Sequence, residues 1–319
     1  MKDSFSRDIN YMRISVTDRC NLRCKYCMPE EGIEKLGHDD ILSFNSIKRI
    51  VEAATGLGIT KYRITGGEPL VRKGIVNLVE DLAKIDGLQE LAMTTNGIML
   101  FKHAEALKEA GLDRVNISID SLKHDKYKEI TRGGNLDDVF EGIKVALKVG
   151  LTPVKLNVVV IKDFNDDEIL DFAQLSISYP LDIRFIELMP IGSISKAQKS
   201  RYLSNDEIKK ALTGLIPLEK QDGVADLYHF PNAKGRVGFI SPMSHKFCSS
   251  CNKIRLTADG KIKPCLHTNQ EIDLNQVLKT NDDELLMETI KAAIYDKTEK
   301  HHLNDGKRSV NRGMNQIGG

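Results

Sequence analysis

Strand-like and helix-like runs take turns through the first two thirds of this chain, and that alternation leaves few folds open. Apolar, β-branched runs at residues 11–16, 61–65, 90–94, 114–118, 154–161 and 182–187 are separated by helical-period segments at 43–57, 75–85, 103–110, 137–149 and 167–177. Six such units, recurring at roughly thirty residues, predict a parallel sheet with crossover helices. Six strands are too few for the eight-stranded closed barrel. The expectation is an α/β fold, a partly open (β/α)6 barrel in preference to a flat doubly wound sheet, although pattern alone leaves both open.

Beyond that region the pattern changes. Residues 195–204 read as polar linker, followed by a helix near 205–212. Short strands follow at 236–240, 253–257 and 261–264, with a turn at Asp259-Gly260, and then a helix at 283–294. The expected division is residues 1–235 as partial barrel with linker and 236–319 as a smaller α+β region. Charge nearly cancels, 46 basic against 45 acidic residues, which argues against a dedicated nucleic-acid binder. No run approaches the roughly 18 apolar residues of a membrane span, and the first ten residues carry no apolar signal core. A cytoplasmic protein that meets neither nucleic acid nor membrane is expected.

The six cysteines fall into two groups of three, Cys20, Cys24, Cys27 and Cys248, Cys251, Cys265. Tight local clustering in a chain of 319 residues favours metal ligation over disulfides. The first trio has C-x3-C-x2-C spacing directly after a strand. Three thiolates cannot fill the four iron corners of a cubane cluster, so one iron stays open to an outside ligand. A structural zinc site would want four ligands, and no fourth Cys or His lies close by. With Tyr26 just before the last cysteine, the loop resembles the signature of the radical S-adenosylmethionine (SAM) enzymes.

That resemblance gives meaning to motifs that are weak alone. Gly66-Gly67-Glu68-Pro69 leaves the second strand at the edge where the cysteine loop leaves the first. Glycines there allow close backbone approach, and Gly67 resembles part of the SAM-methionine loop. Ser118, ending the fourth strand, and Met189, after the sixth, match positions at the SAM ribose and adenine. Without the family, Ser118 reads as a strand-end cap and Met189 as a core residue.

Four strands each carry a cation within an apolar run: Arg13, Arg63, Lys155 and Arg184. One such residue is ordinarily paired or snorkelling at the rim. Four suggest a basic barrel interior, which is costly to bury unless an anion neutralises it. A polyanion such as a nucleoside triphosphate is the expected ligand. The second trio, with C-x2-C-x13-C spacing, again suggests an incomplete ligand set, and a zinc site completed by His245 or His267 stays open as the alternative.

An N-terminal SAM-type cysteine loop combined with this second element resembles the GTP 3′,8-cyclase family, which begins molybdenum-cofactor biosynthesis. The likeness runs through Arg63-Ile64-Thr65-Gly66-Gly67-Glu68-Pro69, Thr94-Thr95-Asn96-Gly97, Asn116-Ile117-Ser118-Ile119-Asp120, Arg184-Phe185-Ile186-Glu187 and the final Gly318-Gly319. It implies two [4Fe–4S] clusters, one on each trio, with SAM on the open iron of the first. It also implies a 5′-deoxyadenosyl radical that removes the 3′ hydrogen of GTP, and attack of C3′ on C8 to give 3′,8-cyclo-7,8-dihydro-GTP. By the same resemblance Arg13, Arg63, Thr94, Lys155, Lys253 and Arg255 contact GTP, and Gly318 and Gly319 end a tail that reaches the reacting nucleotide. Lys253 departs from the family, which usually has Arg there; Lys keeps the charge and loses the planar fork. The implied partners are GTP, an electron donor and the next enzyme of the molybdopterin pathway, with a homodimer allowed. The rivals are a peptide-modifying radical SAM maturase and a non-catalytic iron–sulfur or zinc protein.

Overall fold

Each of the six expected strands forms to within one residue at its ends: β1 (Tyr11–Ser15), β2 (Lys61–Thr65), β3 (Glu90–Thr95), β4 (Arg114–Ser118), β5 (Val154–Val160) and β6 (Leu181–Glu187). The computed structural model describes residues 1–37, 39–191, 199–219, 223–301 and 311–318. The first four residues of the expected linker at 195–204 therefore lie outside the described residues, as do Gly319 and 302–310. Five of the helices are α1 (Phe44–Gly56), α2 (Ile75–Ala83), α3 (Leu100–Glu109), α5 (Leu136–Lys148) and α6 (Ile169–Ser178). Another, α4 (His124–Thr131), was not anticipated; it is short and buries only Tyr127, Ile130 and Thr131, so its apolar period is faint. Local chemistry sets these boundaries. Ser43 caps α1 by accepting from the Ser46 N–H at 3.0 Å, and Ile47, Ile50, Val51 and Ala54 form its buried stripe at the spacing of one helical face.

The remaining elements are α7 (Asn205–Ala211), β7 (Ile216–Pro217), β8 (Asp226–His229), β9 (Arg236–Ile240), β10 (Lys253–Leu256), β11 (Lys261–Lys263), β12 (Ile272–Asp273), α8 (Asn275–Thr280) and α9 (Asp283–Tyr295). The sheet order is β12-β11-β10-β1-β2-β3-β4-β5-β6-β9-β8-β7. β10 pairs in parallel with the outer edge of β1, and β9 does the same with β6. The sheet therefore carries two more parallel strands than the six βα units supply, yet it stays open, because the order ends on β12 and β7. The region after residue 235 contributes strands to both edges.

Alternation along the strands decides where the site lies. Met12, Ile14, Tyr62, Ile64, Val115, Ile117, Leu156 and Ile183 are fully buried within the main hydrophobic core. Their neighbours Tyr11, Arg13, Lys61, Arg63, Arg114, Asn116, Lys155, Asn157 and Arg184 point the other way and line a cavity on the inner face. Among the described residues, no helix is long and apolar enough to cross a membrane.

Candidate active site

Both cysteine trios open onto that one cavity, of about 460 Å³. The first trio rides on a loop leaving β1. Main-chain contacts with the Gly66-Gly67 turn hold it: the Gly67 N–H donates to Thr17 O at 2.7 Å and the Glu68 N–H to Arg19 O at 2.8 Å. A Cβ on Gly67 would lie 2.3 Å from Arg19 O, and one on Gly66 2.7 Å from Thr17 O. These glycines thus let two backbones meet, whereas the sequence pointed to a ligand as the approaching group; Gly67 also lines the cavity. On the far side, the Tyr26 hydroxyl donates to Asp120 Oδ2 at 2.6 Å, and Asp120 Oδ1 accepts from the Val159 N–H at 2.9 Å. Tyr26 therefore pins the loop to the ends of β4 and β5.

The surroundings of this trio resist negative charge. Burial, with Glu68 adding to it, raises the Cys20 thiol to about 11 despite an N–H from Leu22. Burial and Cys20 raise Cys27 to about 12. Burial, then Cys27 and Asp120, push Cys24 well above the ordinary thiol value. Burial also lifts Glu68 to about 7 and Asp120 to about 6, against the hydrogen bonds each accepts.

The second trio sits among cations. Cys248 lies in a 3-10 turn, Cys251 just before β10, and Cys265 beyond β11. Burial alone would raise the Cys251 thiol, but Lys297, the Lys253 N–H and charge, and Arg255 outweigh it, and the net direction is downward. His245, one candidate zinc ligand, instead pairs with Asp206 at 2.8 Å. Among the described residues, no three His, Cys, Asp or Glu side chains converge on a point able to hold a single metal ion. Thiols in threes around a cavity fit an iron–sulfur cluster with one open iron.

Register turns scattered cations into a row. Arg13 lies opposite Arg255 on one side and Arg63 on the other, and Arg63 opposite Ala92, which pairs with Arg114. Burial, then Arg255 and Arg63, lower Arg13 well below the usual guanidinium value. Burial, then Arg184 and Arg114, bring Lys155 down to about 6; burial brings Lys253 down to about 8 and Arg255 to about 10. Tyr11 offers partial relief, with Arg63 and Lys253 each 5.3 Å from its ring centroid. Arg63 Nε, Arg184 Nε, Thr94 Oγ1 and Asn157 Oδ1 are buried, and the described residues offer them no hydrogen-bond partner. The two guanidinium donors call for an anion's acceptors, whereas Asn157 Oδ1 calls for a donor, so the surface suits a ligand that carries an anionic part and a donor group.

Residues 311–318 pack along the cavity, where Met314 and Asn315 form part of its lining. Arg312 makes paired bonds to Asp259 (3.0 and 2.7 Å) and Glu271 (2.7 and 2.8 Å), fastening this segment to the β11 region. The Asn315 N–H then donates to the Cys27 thiol, and its amide donates to Asp18 O at 3.2 Å. Arg255 Nη1 donates to the carbonyls of Ile317 (3.0 Å) and Gly318 (2.6 Å). Gly318 has φ +67°, and a Cβ there would stand 2.3 Å from Thr65 Oγ1, so any side chain at this position is strained and crowds Thr65.

Family comparison agrees with this geometry. Residues 14–176 match the radical SAM superfamily, and residues 181–303 match Molybdenum Cofactor Synthesis C. The chain is 57% identical to a GTP 3′,8-cyclase of Alkaliphilus oremlandii and 56% identical to one of Alkaliphilus metalliredigens, each over 100% of both chains. It is 52% identical to that of Moorella thermoacetica, over the same full coverage. The chain belongs to the GTP 3′,8-cyclase family. Solved structures show the fold: Streptococcus suis SuiB bound to S-adenosylmethionine superposes with a TM-score of 0.63 at 15% identity, covering 97% of this chain and 78% of that one. Methylornithine synthase gives 0.52 at 18%, covering 64% and 61%.

In this member of the cyclase family, all six cysteines and Tyr26, Gly67, Ser118, Met189, Arg13, Arg63, Thr94, Lys155, Lys253 and Arg255 line the same cavity. Gly318 sits beside it on Arg255. Lys61, Arg114, Asn157 and Lys297 line it too and escaped the sequence reading. The first three share a strand face with residues already singled out, so period-two counting could have found them; Lys297 has no such signal.

Proposed function

We propose that this chain converts GTP into 3′,8-cyclo-7,8-dihydro-GTP, the opening step of molybdenum-cofactor synthesis. In this reading Cys20, Cys24 and Cys27 hold a [4Fe–4S] cluster that receives SAM, and Cys248, Cys251 and Cys265 hold a second beside the guanine base. Bound together, the first cluster and SAM supply a carbon radical, chemistry that no side chain provides. The protein does the rest. Tyr26, Gly67, Ser118 and Met189 seat SAM; the cation row and Thr94 seat GTP; the docked segment 311–318 covers the reacting atoms. Fixing both ligands in one cavity replaces a chance encounter by an oriented one and limits the access of solvent to the radical.

The observation that carries this reading is that both trios and the cation row face one cavity. Placing a SAM site and a polyanion site within one enclosure is what transfer between them requires. In this reading residues before 236 supply the SAM site and most of the basic floor, and those after it supply the second trio. The same reading calls for an electron donor, passes its product to the next enzyme of the molybdopterin pathway, and works in the cytoplasm, with a homodimer as the assembly to look for. Anaerobic reconstitution with iron and sulfide, then SAM, GTP and a strong reductant, should yield 5′-deoxyadenosine and a cyclised guanine nucleotide. Release of 5′-deoxyadenosine with GTP recovered intact would refute the cyclase assignment.

A further inference from the structure

Arg7 has no role above, and Lys297 only its charge on Cys251 and its place in the cavity wall. Both are buried cations, 7% and 2% exposed, and both direct donors to main-chain carbonyls around the second trio. Lys297 follows α9, and its Nζ donates to Lys253 O at 2.8 Å and Pro264 O at 2.6 Å. The first of these carbonyls lies just past Cys251, and the second immediately precedes Cys265. Arg7 comes from the opposite end of the chain. Its Nη1 donates to Cys248 O at 2.9 Å and Glu299 O at 2.8 Å, and its Nη2 to Thr298 O at 2.8 Å. Asp3 Oδ2 holds its Nε at 2.6 Å. Residues 297–299 are thus a hub to which all three thiol-bearing segments are tied, Cys248 through Arg7 and the other two through Lys297.

The two cations differ in their compensation. Arg7 has Asp3 as counter-ion. Lys297 has only carbonyls as partners among the described residues, and an ammonium buried without an anion is costly. Yet Lys297 lines the cavity onto which the trio opens. An anionic cluster held by three thiolates is the counter-charge its position calls for.

We propose that Arg7 and Lys297 are positioning residues of the second iron–sulfur site: together they preset its three-thiol cradle, and the Lys297 ammonium stabilises the charge of the cluster it holds. This rests on the two-cluster reading above. A strut that serves folding alone would leave the cluster's potential where it was. A cation beside the cluster favours its reduced, more negative state, so removing that cation makes reduction harder.

The test uses the full chain, reconstituted anaerobically, with iron per chain, SAM affinity and the midpoint potential of each cluster as readouts. Lys297→Met and Arg7→Met should each bring iron down from about eight toward about four per chain, with SAM affinity unchanged. Lys297→Gln, which keeps a donor without the charge, should shift the second cluster to a more negative potential, and Lys297→Arg should restore it. Wild-type iron content in both Met variants with a wild-type potential in Lys297→Gln would overturn the proposal. Equal loss of iron and SAM binding would also overturn it, by showing a general folding role. About four irons with stoichiometric zinc in the wild-type protein would instead overturn the two-cluster reading, and this inference with it.

Discussion

The two cysteine trios look into one cavity from surroundings of opposite sign. Around the first stand Glu68 and Asp120, both buried, and its thiols are pushed upward by burial and by one another. Around the second stand Lys253, Arg255 and Lys297, whose charges overcome burial at Cys251. A cluster among carboxylates is harder to reduce and, once reduced, gives its electron away more readily; one among cations holds negative charge more comfortably. The same ligand set therefore stands in two electrostatic settings, and the difference teaches that each trio's neighbours, more than its thiols, set how readily a cluster held there takes up or gives away an electron.

The sharpest break of this comparison is a pair of single substitutions. Cys24→Ser should abolish 5′-deoxyadenosine formation while about four irons per chain remain at the second site. Cys265→Ser should do the reverse, keeping SAM cleavage and losing cyclised product. Iron analysis and chromatography of both nucleosides decide it, and loss of SAM cleavage in both variants would show that the trios are not independent.

Next in size is the segment that touches both sites. Gly318→Ala places a methyl group 2.3 Å from Thr65 Oγ1 at φ +67°, which should unseat the carbonyls that Arg255 holds. Cyclisation should fall to a small fraction of its rate with both clusters intact, measured as product per chain beside iron content. Full activity would mean that the seated segment contributes nothing to turnover.

The basic half can be tested through its ligand. Arg63→Ala should weaken GTP binding by about 1.5–3 kcal/mol for a lost charge-assisted bond, with little change in SAM affinity. Equal losses for the two ligands in equilibrium binding would mark Arg63 as structural.

The smallest effect is one of pH. Lys155 is depressed to about 6 by burial and then by Arg184 and Arg114. A bound polyphosphate favours the ammonium and raises that value, so above pH 6 binding takes up a proton. GTP affinity should then weaken as pH rises from 7 to 9, by at most about one decade per pH unit, with no such trend for SAM. The same displacement acts on folding with the opposite sense: the folded chain binds fewer protons than the unfolded one between about 6 and the ordinary lysine value, so this group's penalty is largest at low pH and fades as pH rises. Calorimetry in buffers of different ionisation enthalpy checks the uptake, and proton release at pH 8 would contradict it.

Much of this was legible in the sequence because two periods carry it. Strand alternation sends Met12 and Ile14 to the helices and Tyr11 and Arg13 to the cavity, and the cysteine spacings announce their chemistry. Register was not legible: nothing local says that Arg255, far along the chain, lies beside Arg13. Gly66 and Gly67 signalled a close approach without saying to what. Arg7 and Lys297 were silent, since their partners are carbonyls, which every residue has. The extra parallel strands β9 and β10 were read as part of a separate region because edge pairing across the whole sheet leaves no mark on either strand.

The bond from Asn315 to Asp18 joins residues 297 positions apart, and Arg7 reaches Glu299 across 292. Contacts of such separation are the slowest to form, since each must close a very long loop before it gives anything back. Both cradles thus carry bonds that close only once residues 299–315 have been made, and until then a newly made chain holds six thiols in unfinished loops. For that interval the hazard is oxidation to disulfides and sulfenic acids, so the yield of active protein is governed by a race between closure, metal delivery and oxygen.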